Sequence, residues 1–274
     1  MDDILPVELG GLDTFRIGQD LLDARVRGSD DDAWRALERA RGSLPPGVLE
    51  ERLFDDVSTE IDDMLAAATT RQLQDADPDL VPVVVALPGG TRLVGTVPVT
   101  LGGERPGPGR ILFTRPKEVH RLQAWLDLMA LVATDPSREW RSVIVTRGRS
   151  GSPGPTVVDL VPTASPSDRL ASAEAALEVI VDLYRRGMGE PLPLFAEYSA
   201  AVHAGSGEEQ AWSPFHGRGD GTRPAVRLVF GDVDQDEIED LAARDGDPGA
   251  GTGRAARLAG RLWGTVETTA TALP

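Results

Sequence analysis

Few residues of this chain have the type and spacing for covalent chemistry or metal binding. The histidines His120, His203 and His216 are far apart, with no His-x-x-x-His or His-Glu-x-x-His spacing, so no helix face gathers two imidazoles for a metal. Cysteine is absent, which excludes disulfides and thiolate-held zinc or iron–sulfur centres. No Gly-x-Ser-x-Gly elbow presents a nucleophile; residues 148–151 read Gly-Arg-Ser-Gly, one residue short. Residues 249–253, Gly-Ala-Gly-Thr-Gly, lack the Gly-Lys-Ser/Thr ending of a phosphate loop, and no strand runs directly into them. Arg218-Gly219-Asp220 is a chance adhesion tripeptide. Carboxylates are plentiful, but Glu50, Glu51, Asp55, Asp56, Glu60, Asp62 and Asp63 lie opposite an apolar stripe and read as a solvated helix face. His120, Gln123 and Asp127 share another helix face, and solvation explains them too. What remains is cationic. Two Gly- and Pro-rich loops, 102–109 and 147–156, carry Arg105, Arg110, Arg147 and Arg149, and Arg115 and Lys117 follow the first. The planar guanidinium matches phosphate oxygens, and long loops of this composition carry function or disorder. These six are the candidate DNA contacts.

The elements that must position them are legible around residues 81–133. Val81 to Leu87 is a β-branched run ended by Pro88-Gly89-Gly90, Arg92 to Val99 alternates, and Arg110 to Arg115 is a third short run. Pro116 then opens a helix whose stripe is Val119, Leu122, Leu126, Met129 and Ala133. A three-strand sheet is the expected partner of that stripe. Upstream, residues 1–80 read as helical. Leu12, Phe15, Leu21, Leu22 and Val26 mark a first helix or helix pair with Gly18 as a break. Asp30 to Asp32 cap Ala33 to Ala40, Gly42 ends that helix, and Pro45-Pro46 opens one carrying Leu49, Leu53, Val57, Ile61, Met64 and Leu65. Residues 69–80 are a polar linker. Downstream come strands at Ser142 to Thr146 and Val157 to Val161, forming a hairpin. A helix capped by Ser167-Asp168 then runs to about Arg186 and ends at Gly187 and Gly189. Beyond it, 190–199 is extended and then helical, 205–221 is a loop holding Trp212 and Phe215, and Ala225 to Phe230 is a strand. Glu237 to Ala243 is a short helix, 245–253 a flexible insert, and Arg254 to Trp263 the last helix.

The order helix, three strands, helix, strand resembles the nuclease core of the PD-(D/E)xK type. In that family the second strand carries an Asp and the third an Asp/Glu-x-Lys, which together hold magnesium. Here Pro98 stands at the second-strand acid, Leu112 at the third-strand acid and Thr114 at the lysine. Glu104 is the only carboxylate between Val81 and Pro116. The fold class is therefore α/β (α+β): a degenerate nuclease-like fold, with a mixed central sheet flanked by helices and a helical N-terminal segment. Residues 1–80 form that segment and 81–274 the core with its C-terminal extension, in one compact unit.

The 274 residues suffice for a sizeable core, and 41% hydrophobic content fits a globular protein. No run of about 18 apolar residues spans a membrane and no signal peptide is visible, so a cytoplasmic location is expected. The net charge is −16, most of it in residues 1–80, and Lys117 is the only lysine. Such a surface repels a phosphate backbone at long range. Contact with DNA is then local, in the second part of the chain, or helped by a basic partner.

Several stretches resemble the C-terminal domain of RecC, the gamma subunit of exodeoxyribonuclease V. They are Leu44-Pro45-Pro46-Gly47, Arg92 to Val97 followed by the Arg121 to Leu131 helix, and Leu183-Tyr184-Arg185-Arg186-Gly187 with Glu190-Pro191-Leu192-Pro193. Gly217 to Gly221, Val226 to Phe230 and Leu262-Trp263-Gly264 add to it. The resemblance covers roughly residues 4–266. It implies a nuclease-like fold without catalytic residues, which helps part the DNA duplex, guides strands and packs on RecB-like and RecD-like subunits in DNA repair and recombination. It implies no cofactor of its own, with magnesium and ATP used by the partners, and double-stranded DNA ends as the substrate of the complex. The two helicase-like domains of RecC are absent from this sequence, which reads as an excised fragment, a split-gene product or a truncated copy. The alternative function is an acidic protein-interaction scaffold that touches no DNA. A third is an active nuclease borrowing acids from the helix at 46–68.

Overall fold

In the computed structural model, residues 11–73, 78–149, 154–212, 219–242, 244, 247 and 253–273 are described. The elements run α1 (Gly11–Val26), α2 (Asp31–Arg41), α3 (Val48–Thr70), β1 (Asp79–Ala86), β2 (Arg92–Val99), β3 (Gly109–Leu112), α4 (Glu118–Thr134), β4 (Ser142–Thr146) and β5 (Thr156–Pro162). They continue α5 (Arg169–Gly189), α6 (Ala196–Ala204), α7 (Glu208–Trp212), a 3-10 turn (Asp220–Thr222), α8 (Pro224–Phe230), α9 (Gln235–Glu239), α10 (Arg254–Thr269) and β6 (Ala270–Ala272). The strands form a two-stranded sheet, β1-β2, and a four-stranded sheet in the order β3-β4-β5-β6. Two units are distinguished. The first is Met1–Asp79, Val99–Pro116 and Val143–Val158; the second is Leu80–Pro98, Lys117–Ser142 and Asp159–Pro274.

The class is mixed α/β, but the first three strands do not share one sheet. β1 and β2 pair with each other, through a connection too short for anything but a hairpin. β3 instead pairs in parallel with β4, with Gly109 opposite Val143 and Leu112 opposite Thr146. The diversion is made just after β2. Leu101 bridges to Leu73 and to Gly107, and the Thr100 hydroxyl both donates to the Gly109 carbonyl and accepts from its N–H, each at 2.9 Å.

In the first unit, α1, α2 and α3 pack their apolar faces around Ile17, Leu21, Leu22, Trp34, Val57, Ile61 and Met64, against Phe113, Val143 and Val145. Asp30 caps α2 as its pattern predicts, accepting from the Ala33 N–H at 3.1 Å. Gly42 closes it in the left-handed region at φ 71°, a conformation that favours glycine. Gly18 is no break: α1 is one helix, and the glycine lies where the Phe113 ring presses on it. Nor is Glu50 on a solvated face. It is buried between Arg35 and Arg39, at 3.2 and 2.8 Å, and hydrogen bonding from Arg39 holds its carboxyl below the ordinary value. Arg25 ties α1 to its neighbours through Asp31 at 2.6 Å and Asp62 at 2.8 Å.

In the second unit, α4 contacts α5 and α6, and both contact α10. This crowding corrects the expected stripe. Met129 and Ala133 are buried, but Val119 is 41% exposed, and Ala124, Trp125, Leu128, Leu131 and Val132, outside the expected stripe, are buried as well. A helix with several neighbours buries more than one stripe. The Trp125 Nε1–H donates to the Thr269 hydroxyl at 2.9 Å. The β1–β2 hairpin is fastened to α5 by the Gly89 N–H on Glu178, at 2.9 Å, and by Arg185 on Thr91.

Several expectations for the C-terminal third are corrected. Residues 224–230 are helical, not a strand: Arg223 is extended, Pro224 takes a first-turn position, and only Val226 of α8 is buried. Short apolar runs do not distinguish the two. Trp212 is not in a loop but ends α7, buried against Phe195 and Tyr198 with ring centroids 5.5 and 5.1 Å away; Phe215 lies outside the described residues. α5 runs through Gly187, and α9 begins at Gln235 behind a capping box of Asp234 and Glu237. α10 continues to Thr269 and leads into β6, which pairs antiparallel with β5, Pro162 opposite Ala270. Within the expected flexible insert, Asp247 is buried and bonded by Arg254 at 3.1 Å. Residues 249–252 of the glycine-rich motif, Arg218 of the tripeptide and His216 lie outside the described residues. Among the described residues no helix is long and apolar enough to cross a membrane.

Candidate nucleic-acid interface

The parallel register of β3 and β4 ends both strands level, at Leu112 and Thr146. The chain leaves β3 through a tight turn, with the Thr114 N–H on the Leu112 carbonyl at 2.6 Å. The Arg147 N–H then donates to the Thr114 carbonyl at 2.9 Å, so the two departing segments run side by side. The region beyond the carboxyl ends of parallel strands is where open α/β sheets present ligand-binding residues. Three of the six candidate cations leave the strands here: Arg115, Arg147 and Arg149.

They are not alike. The Arg147 guanidinium is turned inward. Its Nη2 donates to Glu60 Oε1 at 2.9 Å, and its Nε stands 2.6 Å from Glu60 Oε2, an ion pair with one hydrogen bond, the Nε lacking the alignment for a second. Its Cζ lies 4.5 Å from the centroid of Phe113, a cation–π distance. Phe113 is fully buried, its N–H donates to Gln19 Oε1 at 2.9 Å, and its ring occupies the notch left by Gly18. Arg115 and Arg149 are exposed, and neither side chain has a partner among the described residues.

The other candidates lie elsewhere. Arg110 is within β3, opposite Ile144, and Arg105 is exposed in the loop before it. Both already make an interaction inside the fold. Lys117 is exposed and precedes α4, whose first N–H groups are capped not by it but by Glu197, from Glu118 N at 3.1 Å and Val119 N at 3.4 Å. Of the degenerate nuclease positions, Pro98 falls in the two-stranded sheet, while Leu112 ends β3 and Thr114 follows it. The tip of the second loop, 150–153, lies outside the described residues.

Sequence reasoning missed Glu60, Phe113, Gln19 and Gly18 as parts of this site. Glu60 was hidden in a row of acids. Only Gly18 carried a signal, since a glycine inside an amphipathic pattern costs helix stability and usually answers a packing need.

Comparison with known proteins decides the kinship. Residues 1–206 match the RecC C-terminal domain family. The chain belongs to that family. It is 31% identical over 214 residues, 77% of its length, to the RecBCD enzyme subunit RecC of Mycolicibacterium smegmatis. It is 31% identical over 274 residues, 96% of its length, to the RecBCD enzyme subunit RecC of two Mycobacterium tuberculosis strains. These alignments cover 18% and 24% of the relatives, so the chain spans about a fifth to a quarter of the RecC proteins it matches. The RecC family match ends after α6, so α7, α8, α9 and α10 lie beyond it.

Proposed function

We propose that this chain is a non-catalytic RecC module of a cytoplasmic RecBCD-type helicase–exonuclease, helping to split duplex ends and guide the separated strands during double-strand break repair. The observation that carries the reading is the RecC family match over residues 1–206. RecB-like and RecD-like subunits are its partners, and magnesium and ATP are used by them.

The residues support a passive role. A divalent ion needs hard oxygen ligands, and the positions where the nuclease family keeps its acids hold Pro98 and Leu112. The element order, three strands, a helix and a fourth strand parallel to the third, supports descent from a nuclease-like scaffold. Of the six candidates, exposed Arg115, Arg149 and Lys117 are the most available to phosphate, while Arg105 and Arg110 already interact within the fold.

The test is photocrosslinking in the assembled complex, with a probe at residue 115 or 149 and a forked DNA end. Salt-sensitive crosslinks and slower unwinding by charge-reversed variants are expected. A complex that unwinds normally with these cations reversed, and gives no crosslinks, favours the acidic scaffold instead.

A further inference from the structure

We infer that Arg147 is a positioning residue, and that it presents Arg115 and Arg149 as a pair of contacts for the phosphodiester backbone of nucleic acid at the carboxyl end of β3 and β4. The inference rests on the proposed DNA-handling role and assigns different work to three arginines that look equivalent in sequence.

The geometry carries it. Arg147 binds Glu60 at 2.6 and 2.9 Å and covers the Phe113 ring at 4.5 Å. A guanidinium paired with a carboxylate and laid on an aromatic face has its charge neutralised and its plane fixed inside the fold, which leaves it poorly placed for a phosphate. Its backbone N–H meanwhile fixes the Thr114 carbonyl, one residue before Arg115. Arg149 follows two residues later on the other segment. One side chain thereby anchors both segments to α3 and, through Phe113, to α1 at Gly18 and Gln19.

Charge gives the anchor a second effect. α3 carries Asp55, Asp56, Asp62 and Asp63 besides Glu60, and an unpaired Glu60 at the point where Arg147 is anchored would add to the repulsion of a phosphate. Neutralised by Arg147, it no longer offsets the charge of Arg115 and Arg149. Contacts of this kind are indifferent to base sequence and strongly salt-dependent.

The experiment measures binding of the full chain to a fluorescein-labelled forked DNA across a salt series. Arg115→Ala with Arg149→Ala is expected to weaken binding equally on unrelated sequences and to flatten the slope of log K against log salt by about 2. Arg147→Glu is expected to weaken it as much. The exchange Glu60→Arg with Arg147→Glu is expected to restore it, because it remakes the anchor while leaving residue 147 unable to touch phosphate. The neutral pair Glu60→Gln with Arg147→Met keeps an apolar cover on Phe113 and serves if the exchange does not fold; it too is expected to bind. If both paired variants fold and bind as weakly as Arg147→Glu alone, Arg147 contacts phosphate itself and the positioning role is overturned. A wild-type slope unchanged in Arg115→Ala with Arg149→Ala overturns the pair while leaving DNA handling by other residues intact. Absence of any DNA binding by the wild type, with no crosslinks in the complex, overturns both this inference and the role it rests on.

Discussion

At the residue scale, the same side-chain type does unlike work according to what lies beside it. Arg147 and Arg149 are two residues apart, yet one is held by Glu60 and Phe113 and the other is exposed. Gly18 shows how sharply such a site is specified. A Cβ added there would fall 2.0 Å from the Phe113 ring. Gly18→Ala gains up to about 1 kcal/mol of helix propensity but overpacks a ring with nowhere to go, a cost of roughly 1–3 kcal/mol. We expect a lower urea midpoint for Gly18→Ala and partial recovery when Phe113→Leu is added; a midpoint at or above the parent's would refute the notch. Glu50 gives a second prediction. Its folded-state carboxyl lies below the ordinary value through Arg39 and then Arg35. That stability is present above the unfolded pKa and is lost as pH falls through the folded one. Glu50→Gln should be less stable than the parent at neutral pH and show a shallower loss on acidification, measured as thermal midpoint against pH.

At the element scale, caps and neighbours decide where helices end and what they bury. α4 has no capping side chain of its own, and Glu197 of α6 accepts from its first two N–H groups. Burial pushes the Glu197 carboxyl above its ordinary value, outweighing those two bonds. A raised acid favours the folded state below the unfolded pKa, and the benefit is lost as pH rises through the folded pKa. Glu197→Gln keeps an acceptor and removes the buried charge, so its stability should vary less with pH over that window. Glu197→Ala loses the cap, at about 1 kcal/mol. Parallel pH profiles for parent and Glu197→Gln would contradict the account. The elements read correctly from sequence are those with local signals: Asp30 and Gly42 around α2, the Pro88-Gly89-Gly90 turn after β1, and the alternation of β2. Those misread had none. The apolar run in α8 fits a strand or a helix equally well, and the Ala-Thr-Ala chain of β6 carries no strand pattern of its own and pairs with the edge that β5 offers.

At the scale of the whole molecule, an acidic chain belongs to a RecC family proposed to handle DNA. Residues 1–80 hold most of the −16 net charge, and α3 turns Glu60 and Asp62 toward arginines of its own unit. Acidic surface is thus partly consumed inside the fold, leaving any phosphate contact to local cations. We expect the purified chain to leave linear duplex intact with magnesium, and Glu104→Ala to change nothing. Digestion that disappears on that substitution would return a nuclease role to the chain. The sequence alone determined the RecC kinship, the mixed α/β class, the helices that precede the first strand and the short supply of acids between Val81 and Pro116, because all of these are written in residue types and short-range spacing. Tertiary structure decided that β3 leaves its neighbours to pair with β4, that Trp125 and its flanking residues form the buried heart of α4, and that Arg147 turns inward. Each depends on residues far apart in the chain meeting, as Glu60 and Arg147 do, and no local periodicity records such a meeting.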